Sequence, residues 1–377
     1  MKIVSVMTTE ARGGAEFAAV EMLDALIDRG HEAVMLTDQP GIARHTAVRV
    51  APVALGPKLS LRTYGSLALR WWSLLRRLRA ALEAEAPYDV LLVHYKKEQL
   101  LARWLPERLR ATLVWAEWGP VPFPMRRGLP RRMYLSAGEQ AAAVMAVSEG
   151  TKRSVCDVGV PEGKVHVVPN VVRVDQVGFR PAGRERVRRE LGIPDDAFVV
   201  GCISRFHPKK RNDVVVDAVV RLDGAHAHLI LAGDGETEAE LRARAAALGE
   251  RAHFVPTPGS AIADYASAFD VSVFCPSPTE GAPRAVILAM LAERPCVATG
   301  AEGVADLIVP GTGAIVTPEN DPAALAALLG DYLNDRGRRE REGAAAHRRA
   351  EAIYAAPVVA AKIETLLREA GAGAARP

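Results

Sequence analysis

The chain has 377 residues, 49% hydrophobic and 25% charged, which excludes a disordered polypeptide and allows two ordinary domains, each with its own core. A formal charge of +3 is too small to argue for a nucleic-acid partner. Cys156, Cys202, Cys275 and Cys296 lie far apart with no CxxC or Cys/His ligand spacing, so they read as reduced and structural, with no metal site.

The apolar run at residues 3–7 is too short for a signal-peptide core, and no stretch nears the ~18 to 20 apolar residues of a spanning helix. The expected location is the cytoplasm. Residues 2–7 read as a buried parallel strand, 8–14 as a loop ending in Gly13-Gly14, and 15–29 as an amphipathic helix. In that helix Phe17, Val20, Leu23, Leu26 and Ile27 fall at helical spacing, and 32–37 follow as a strand. Such a unit leaves free backbone N–H groups at the first strand's end, where glycine lets a phosphate approach closely.

Residues 61–85 form a long helical segment, with Trp71, Trp72, Leu74, Leu75 and Leu78 set against Arg70, Arg76, Arg77 and Arg79. The simpler reading is a core helix with a solvated arginine face; the other is weak peripheral contact with an anionic membrane at its inner face. Strands at 88–93 and 112–116 end at His94 and Glu117, at the strand ends where open parallel sheets bind ligands. Residues 119–132 read as a proline-rich basic loop, 142–147 as a strand followed by a helix to 158, and 165–168 as the last strand of this half.

Residues 171–191, with scattered arginines and Pro181, mark the domain boundary. The expected domains are 1–175, joined by a helix at about 356–372 with Pro357 at the crossover, and 190–355. The pattern then restarts with a strand at 198–203, a basic loop at 204–211, a helix at 213–222 and a strand at 228–232 that ends in Gly233-Asp234-Gly235. Arg205 and Lys210 share one loop at a strand's carboxyl end. There they suit a diphosphate, Arg205 through its planar fork and Lys210 as a point charge. Asp234, between two glycines, more simply shapes a turn.

A strand at 270–275 is stopped by Pro276 and Pro278, and Glu280-Gly281 turns the chain into a buried helix. At that helix's amino edge Glu280 is most simply a capping acid, while the same edge suits an anionic or hydroxyl-rich ligand. Two successive alternating halves imply an α/β chain of two doubly wound, Rossmann-like domains with parallel sheets facing one another across a cleft.

The blocks GGAEFAAVEMLDALIDRGHEAVMLT, AVSEGTKRSV, VHVVPN, SRFHPKKRNDVVVDA, LILAGDGE and SPTEGAPRAVILAMLAERPCVATGAEGVADLI, in this order, resemble the retaining nucleotide-sugar glycosyltransferases of family 4, whose architecture is GT-B. The resemblance implies transfer of a hexosyl group from a nucleoside-diphosphate sugar to a hydroxyl of a glycan, a lipid-linked or a small-molecule acceptor. It implies no cofactor and no metal. Gly13 and Gly14 would approach the donor diphosphate, Arg205 and Lys210 would bind it, and His94 would lie near the transferred sugar. Glu280 would contact sugar hydroxyls, with Gly281, Ala282, Pro283, Arg284 and Asp234 on the donor side.

Two departures qualify the resemblance. The second glutamate of the family's E-x7-E pair is Leu288 here, which cannot hydrogen-bond a ribose. A deoxyribose donor such as a dTDP-sugar, or a substitute contact from Glu293 or Glu302, would account for it. Glu117 stands where many members carry histidine, and would serve as a base toward the acceptor or position a loop. A catalytically weak sugar-nucleotide-binding protein and a GT-B epimerase are the competing readings.

Overall fold

The structure is a computed structural model, and it describes residues 1–377 except 10–12, 40, 44–45, 61, 223–225, 258, 278–279, 302 and 375–377. The chain divides into two compact units, Met1–Val172 with Ala356–Pro377, and Arg173–Ala355.

The first unit is built on seven parallel strands, β1 (Lys2–Val6), β2 (Glu32–Thr37), β3 (Arg49–Pro52), β4 (Val90–Val93), β5 (Thr112–Glu117), β6 (Ala143–Ala146) and β7 (Val165–Val167). Their order across the sheet is β3-β2-β1-β4-β5-β6-β7. The central strands are mostly apolar because both faces are covered. In β4, Leu91 and Val93 enter one core with Leu74, Leu78 and Tyr134. Val90 and Leu92 enter the other, with Leu23, Leu26 and Ile363. A side-chain period of two thus divides one short strand between two helical layers.

The second unit repeats the plan with β8 (Phe198–Ile203), β9 (Ala227–Ala232), β10 (Ala252–Val255), β11 (Val271–Phe274), β12 (Cys296–Thr299) and β13 (Gly313–Val316). The order is β10-β9-β8-β11-β12-β13, again parallel. Both units are Rossmann-like.

Three segments differ from the sequence reading. The 171–191 boundary contains the helix Pro181–Glu190, which belongs to the second unit. Its arginines anchor that unit: Arg184 Nη2 lies 2.8 Å from Asp270 Oδ1 and Arg188 Nη2 lies 2.7 Å from Asp270 Oδ2. Burial works against the Asp270 carboxylate, but Arg188 and Arg184 outweigh it and hold its pKa below the usual range.

The supposed loop at 119–132 contains a 3₁₀ turn, Phe123–Arg126, and the start of the helix Gly128–Gly138. At the crossover the chain breaks rather than kinks. The helix Arg336–Tyr354 ends, Ala355 is non-helical, and Ala356–Ala374 begins anew, with the Ala356 N–H donating to Val172 O at 3.0 Å. Pro357 sits in the new first turn, where its missing N–H removes no helical bond. That helix runs on to Ala374.

Candidate functional site

In a doubly wound sheet the order reverses beside the first strand, and the carboxyl ends of the two strands there form the ligand crevice. In the second unit those strands are β8 and β11. The loop after β8 carries Arg205 and Lys210, and the loop after β11 carries Glu280.

The two loops are tied together. Ser277 donates to Lys209 O from its N–H at 2.8 Å and from its Oγ at 3.0 Å. Lys210 Nζ then lies 2.8 Å from Glu280 Oε2 and 5.1 Å from the Phe274 ring centroid. Arg205 is exposed, and its guanidinium makes no ion pair among the described residues.

Glu280 is not the helix cap. The helix is Arg284–Leu291 with Pro283 as its N-cap, so Glu280 precedes the start by four residues and spends its carboxylate on Lys210. Proline has no side-chain acceptor, so the first turn keeps its partial positive charge without a side-chain cap. Of the residues after Glu280, Gly281 and Pro283 are buried while Ala282 and Arg284 are half-buried.

Sequence reasoning missed three supports of this loop pair, Ser277, Asn212 and Gly303. Buried Asn212 accepts from Ser204 Oγ at 2.8 Å and donates to Arg205 O at 3.4 Å, holding the cationic loop. Gly303 donates its N–H to Glu280 O at 3.0 Å. A Cβ there would lie 1.1 Å from Gly281 O, so only glycine fits. A polar residue between the basic loop and the next helix was a usable signal for Asn212; Gly303 makes its contact from a distant part of the chain and gave none.

Asp234 shapes a turn, as its flanking glycines suggest. Its carbonyl accepts from Phe206 N–H at 2.7 Å, and its carboxylate accepts from Thr257 Oγ1 at 2.6 Å. A Cβ at Gly235 would lie 2.3 Å from Phe206 O, so this loop packs directly beneath the cationic one.

Leu288 is 5% exposed and packs in the interior of the unit, so it offers a ribose nothing. Glu293 does not substitute for the missing glutamate. It follows the carboxyl end of the same helix in a left-handed conformation (φ 60), just before β12 begins at Cys296. That places it at the amino edge of the sheet, about 13 Å along the helix from Arg284. Glu302 lies outside the described residues.

In the first unit the reversal falls between β1 and β4. The helix Gly14–Ile27 follows Gly13, which is extended (φ −159) and provides no side-chain cap. A Cβ on Gly13 would lie 3.2 Å from Glu16 Oε2. Buried Glu16 accepts from Lys58 Nζ at 2.8 Å and from the Tyr95 hydroxyl. The glycine loop therefore presents its amides beside a carboxylate and ammonium pair rather than in a purely cationic cradle. Residues 10–12 of this loop lie outside the described residues.

His94 is buried after β4, its ring nearly parallel to that of Trp118 with ring centroids 5.7 Å apart. Trp118 Nε1–H donates to His94 Nδ1 at 3.1 Å, which leaves the proton on Nε2 to be donated to Ser5 Oγ at 2.7 Å. Both ring nitrogens are engaged, and a sugar hydroxyl would have to displace Ser5. Burial pushes the imidazole pKa down to about 3. An unfolded chain takes up this proton below about pH 6.5, whereas the folded one refuses it until about 3, so stability falls as pH drops through that window. His94→Gln should remove about 2–3 kcal/mol of the stability lost between pH 7 and 4.5, measured by urea unfolding; an unchanged loss contradicts this.

Glu117, the last residue of β5, is not placed as a base. It is buried, the Lys96 ammonium holds both oxygens, and Oε1 accepts from Gln99 Nε2 at 3.0 Å and Tyr134 OH at 2.9 Å. Burial pulls the Lys96 pKa down, against the pull of Glu117, and pushes the Tyr134 phenol up, with Glu117 adding to the rise. A carboxylate with three internal donors is a core tether.

Among the described residues, no group of three or more His, Cys, Asp or Glu side chains could hold a metal ion. Sequence comparison matches residues 12–176 to the profile described as Glycosyltransferase Family 4 and residues 197–335 to that described as Glycosyl transferases group 1. The chain belongs to glycosyltransferase family 4.

This family 4 glycosyltransferase is 27% identical to the D-inositol 3-phosphate glycosyltransferase of Kineococcus radiotolerans, over 94% of this chain and 90% of that one. It is 29% identical to the 2-deoxystreptamine glucosyltransferase of Streptomyces kanamyceticus, over 52% of each chain. Its fold matches Anabaena Alr3699/HepE, solved in complex with UDP-glucose, with a TM-score of 0.80 at 20% identity over 98% of this chain and 100% of that one. The two Rossmann-like units are those of a GT-B glycosyltransferase.

Proposed function

We propose that the protein transfers a hexosyl group from a nucleoside-diphosphate sugar to an acceptor hydroxyl in the cytoplasm, with retention of configuration and without a metal ion. The observation that carries this is the grouping at β8 and β11: exposed Arg205, with no ion pair among the described residues, Lys210 against Glu280, and a helix start without a side-chain cap. A departing diphosphate needs fixed positive charge, and two cations with a helix amino end supply it.

In the proposed step the bond between the anomeric carbon and the diphosphate oxygen breaks, its electron pair leaving with the phosphate. The acceptor oxygen bonds the same carbon from the same face, and its proton passes to the departing phosphate oxygen. Glu280 is held by Lys210 and Glu117 by its three donors, so neither is placed as a covalent nucleophile. In the complex Glu280 turns its second oxygen to the sugar hydroxyls.

UDP is the nucleotide supported by the Anabaena structures, solved with UDP and with UDP-glucose. Buried Leu288 leaves the ribose hydroxyls unread from that position, so the site should accept a deoxynucleotide as well. The two relatives are named for D-inositol 3-phosphate and 2-deoxystreptamine, both polyhydroxylated six-membered carbocycles. We assign the acceptor to that chemistry, free or carried on a lipid.

Slow hydrolysis of UDP-glucose, followed by proton NMR in EDTA, tests the reading without the acceptor. The expected first product is α-glucose, formed at the rate seen without EDTA; β-glucose first, or loss of turnover in EDTA, would overturn it.

A further inference from the structure

The long helix Tyr64–Glu85 shows more than a buried stripe and a solvated face. Leu67, Leu74, Leu78 and Leu82 fill the core, yet large apolar side chains remain outside it. Leu69 is 92% exposed, Trp72 63%, Phe123 69% and Leu129 65%. Of these, Trp72 and Leu129 line a groove of about 500 Å³, together with Tyr64, Trp71, Trp104 and Met133 of the helix Gly128–Gly138. Trp72 meets Trp104 edge-on, with ring centroids 5.6 Å apart.

The charged side chains that line this groove have one sign. The long helix carries Arg70, Arg76, Arg77 and Arg79 and has no acidic residue before Glu83. Residues 123–138 add Arg126, Arg127, Arg131 and Arg132, with no carboxylate. The charged residues lining the groove are Arg103 and Arg132. Arg70, Arg76 and Arg132 are exposed and form no ion pair among the described residues, while Arg126 and Arg131 bond the carbonyls of Val121 and Val158.

Exposed tryptophans beside unneutralised arginines match the boundary of an anionic bilayer, where indole rings settle at headgroup depth and guanidinium groups pair with phosphates. No described helix is long and apolar enough to cross a membrane, so the matching mode is lying on the surface. We propose that this face of the first unit docks on a bilayer rich in anionic phospholipid. Docking is independent of the donor chemistry assigned to the second unit. It would bring the carboxyl edge of the first unit's sheet close to lipid-borne acceptors.

The full chain should be sedimented with vesicles of phosphatidylcholine alone and with vesicles containing about 30% phosphatidylglycerol, at low salt and in about 0.5 M NaCl. The proposal expects binding to the anionic vesicles only, release by salt, and a blue shift of tryptophan emission as Trp72 and Trp104 leave water. A triple variant, Arg70→Ser, Arg76→Ser and Arg132→Ser, should bind about 100-fold more weakly, as three basic residues near an anionic surface imply. Trp72→Ser with Trp104→Ser should lose the blue shift. Both variants remove exposed side chains and should keep the circular dichroism and donor hydrolysis of the parent.

Equal binding to both vesicle types would overturn the proposal, as would no binding or variants that bind like the parent. Self-association in light scattering without vesicle binding would assign the face to a second copy of this chain and overturn it equally.

Discussion

Lys210→Ala is expected to lower turnover of the nucleotide-sugar donor by about 100- to 1,000-fold, the usual cost of removing one fixed group that stabilises developing negative charge. Lys210 Nζ lies 2.8 Å from Glu280 Oε2, at the carboxyl ends of the two strands beside the sheet's reversal. In the proposed mechanism the carboxylate holds the ammonium in place until the diphosphate arrives. The loss should fall mainly on kcat, because charge on the departing phosphate grows as the glycosidic bond breaks. Arg205→Ala should lose a similar factor for a simpler reason: the side chain is exposed and forms no ion pair among the described residues, so its charge is free to meet the diphosphate. Arg205→Lys should recover only part of the rate, since charge returns without the planar fork. Donor hydrolysis by the purified variants measures all three, and near-parental rates would remove these cations from the mechanism.

Glu117→Gln is expected to destabilise the first unit by about 3–5 kcal/mol, the cost of stripping one partner from a buried ion pair. Glu117 is buried and Lys96 is largely covered, and desolvation already works against the charge on Lys96. The amide would leave the ammonium without a counter-charge and confront Gln99 and Tyr134 with a poorer acceptor. Denaturant unfolding gives the loss directly. In the folded fraction, the pH dependence of acceptor turnover should match the parent. A stable variant with a shifted pH profile would restore the base role that the surrounding donors argue against.

Much of the fold is legible in residues whose burial is decided locally. The apolar runs 32–37 and 198–203 become β2 and β8 with those same bounds, because a strand covered on both faces has no alternation to blur its ends. Arg205 and Lys210 are legible for a related reason: a basic loop directly after such a strand must lie at the sheet's carboxyl edge.

What escapes the sequence depends on partners from elsewhere in the chain. Glu117 looks available until Lys96, Gln99 and Tyr134 converge on it from other elements. Arg184 and Arg188 look like linker charges until both reach Asp270. Glu280 resembles a cap because the apolar pattern marks a helix but not its first residue, which Pro283 sets. Glu293 is within reach by sequence spacing but is carried to the far edge of the sheet by the intervening helix.

The central claim is that Arg205 and Lys210 grip a diphosphate, with no reading of the ribose from residue 288. Calorimetric titration of UDP, dUDP and uridine into the parent and into the Arg205→Ala, Lys210→Ala double variant tests it most directly. The account predicts that UDP and dUDP bind the parent within about tenfold of each other, since no charged hydrogen bond to the ribose arises at Leu288. Both should bind the variant at least ~100-fold more weakly, with uridine weak throughout, since each charged hydrogen bond lost is worth about 1.5–3 kcal/mol. A double variant that binds UDP as the parent does would contradict it.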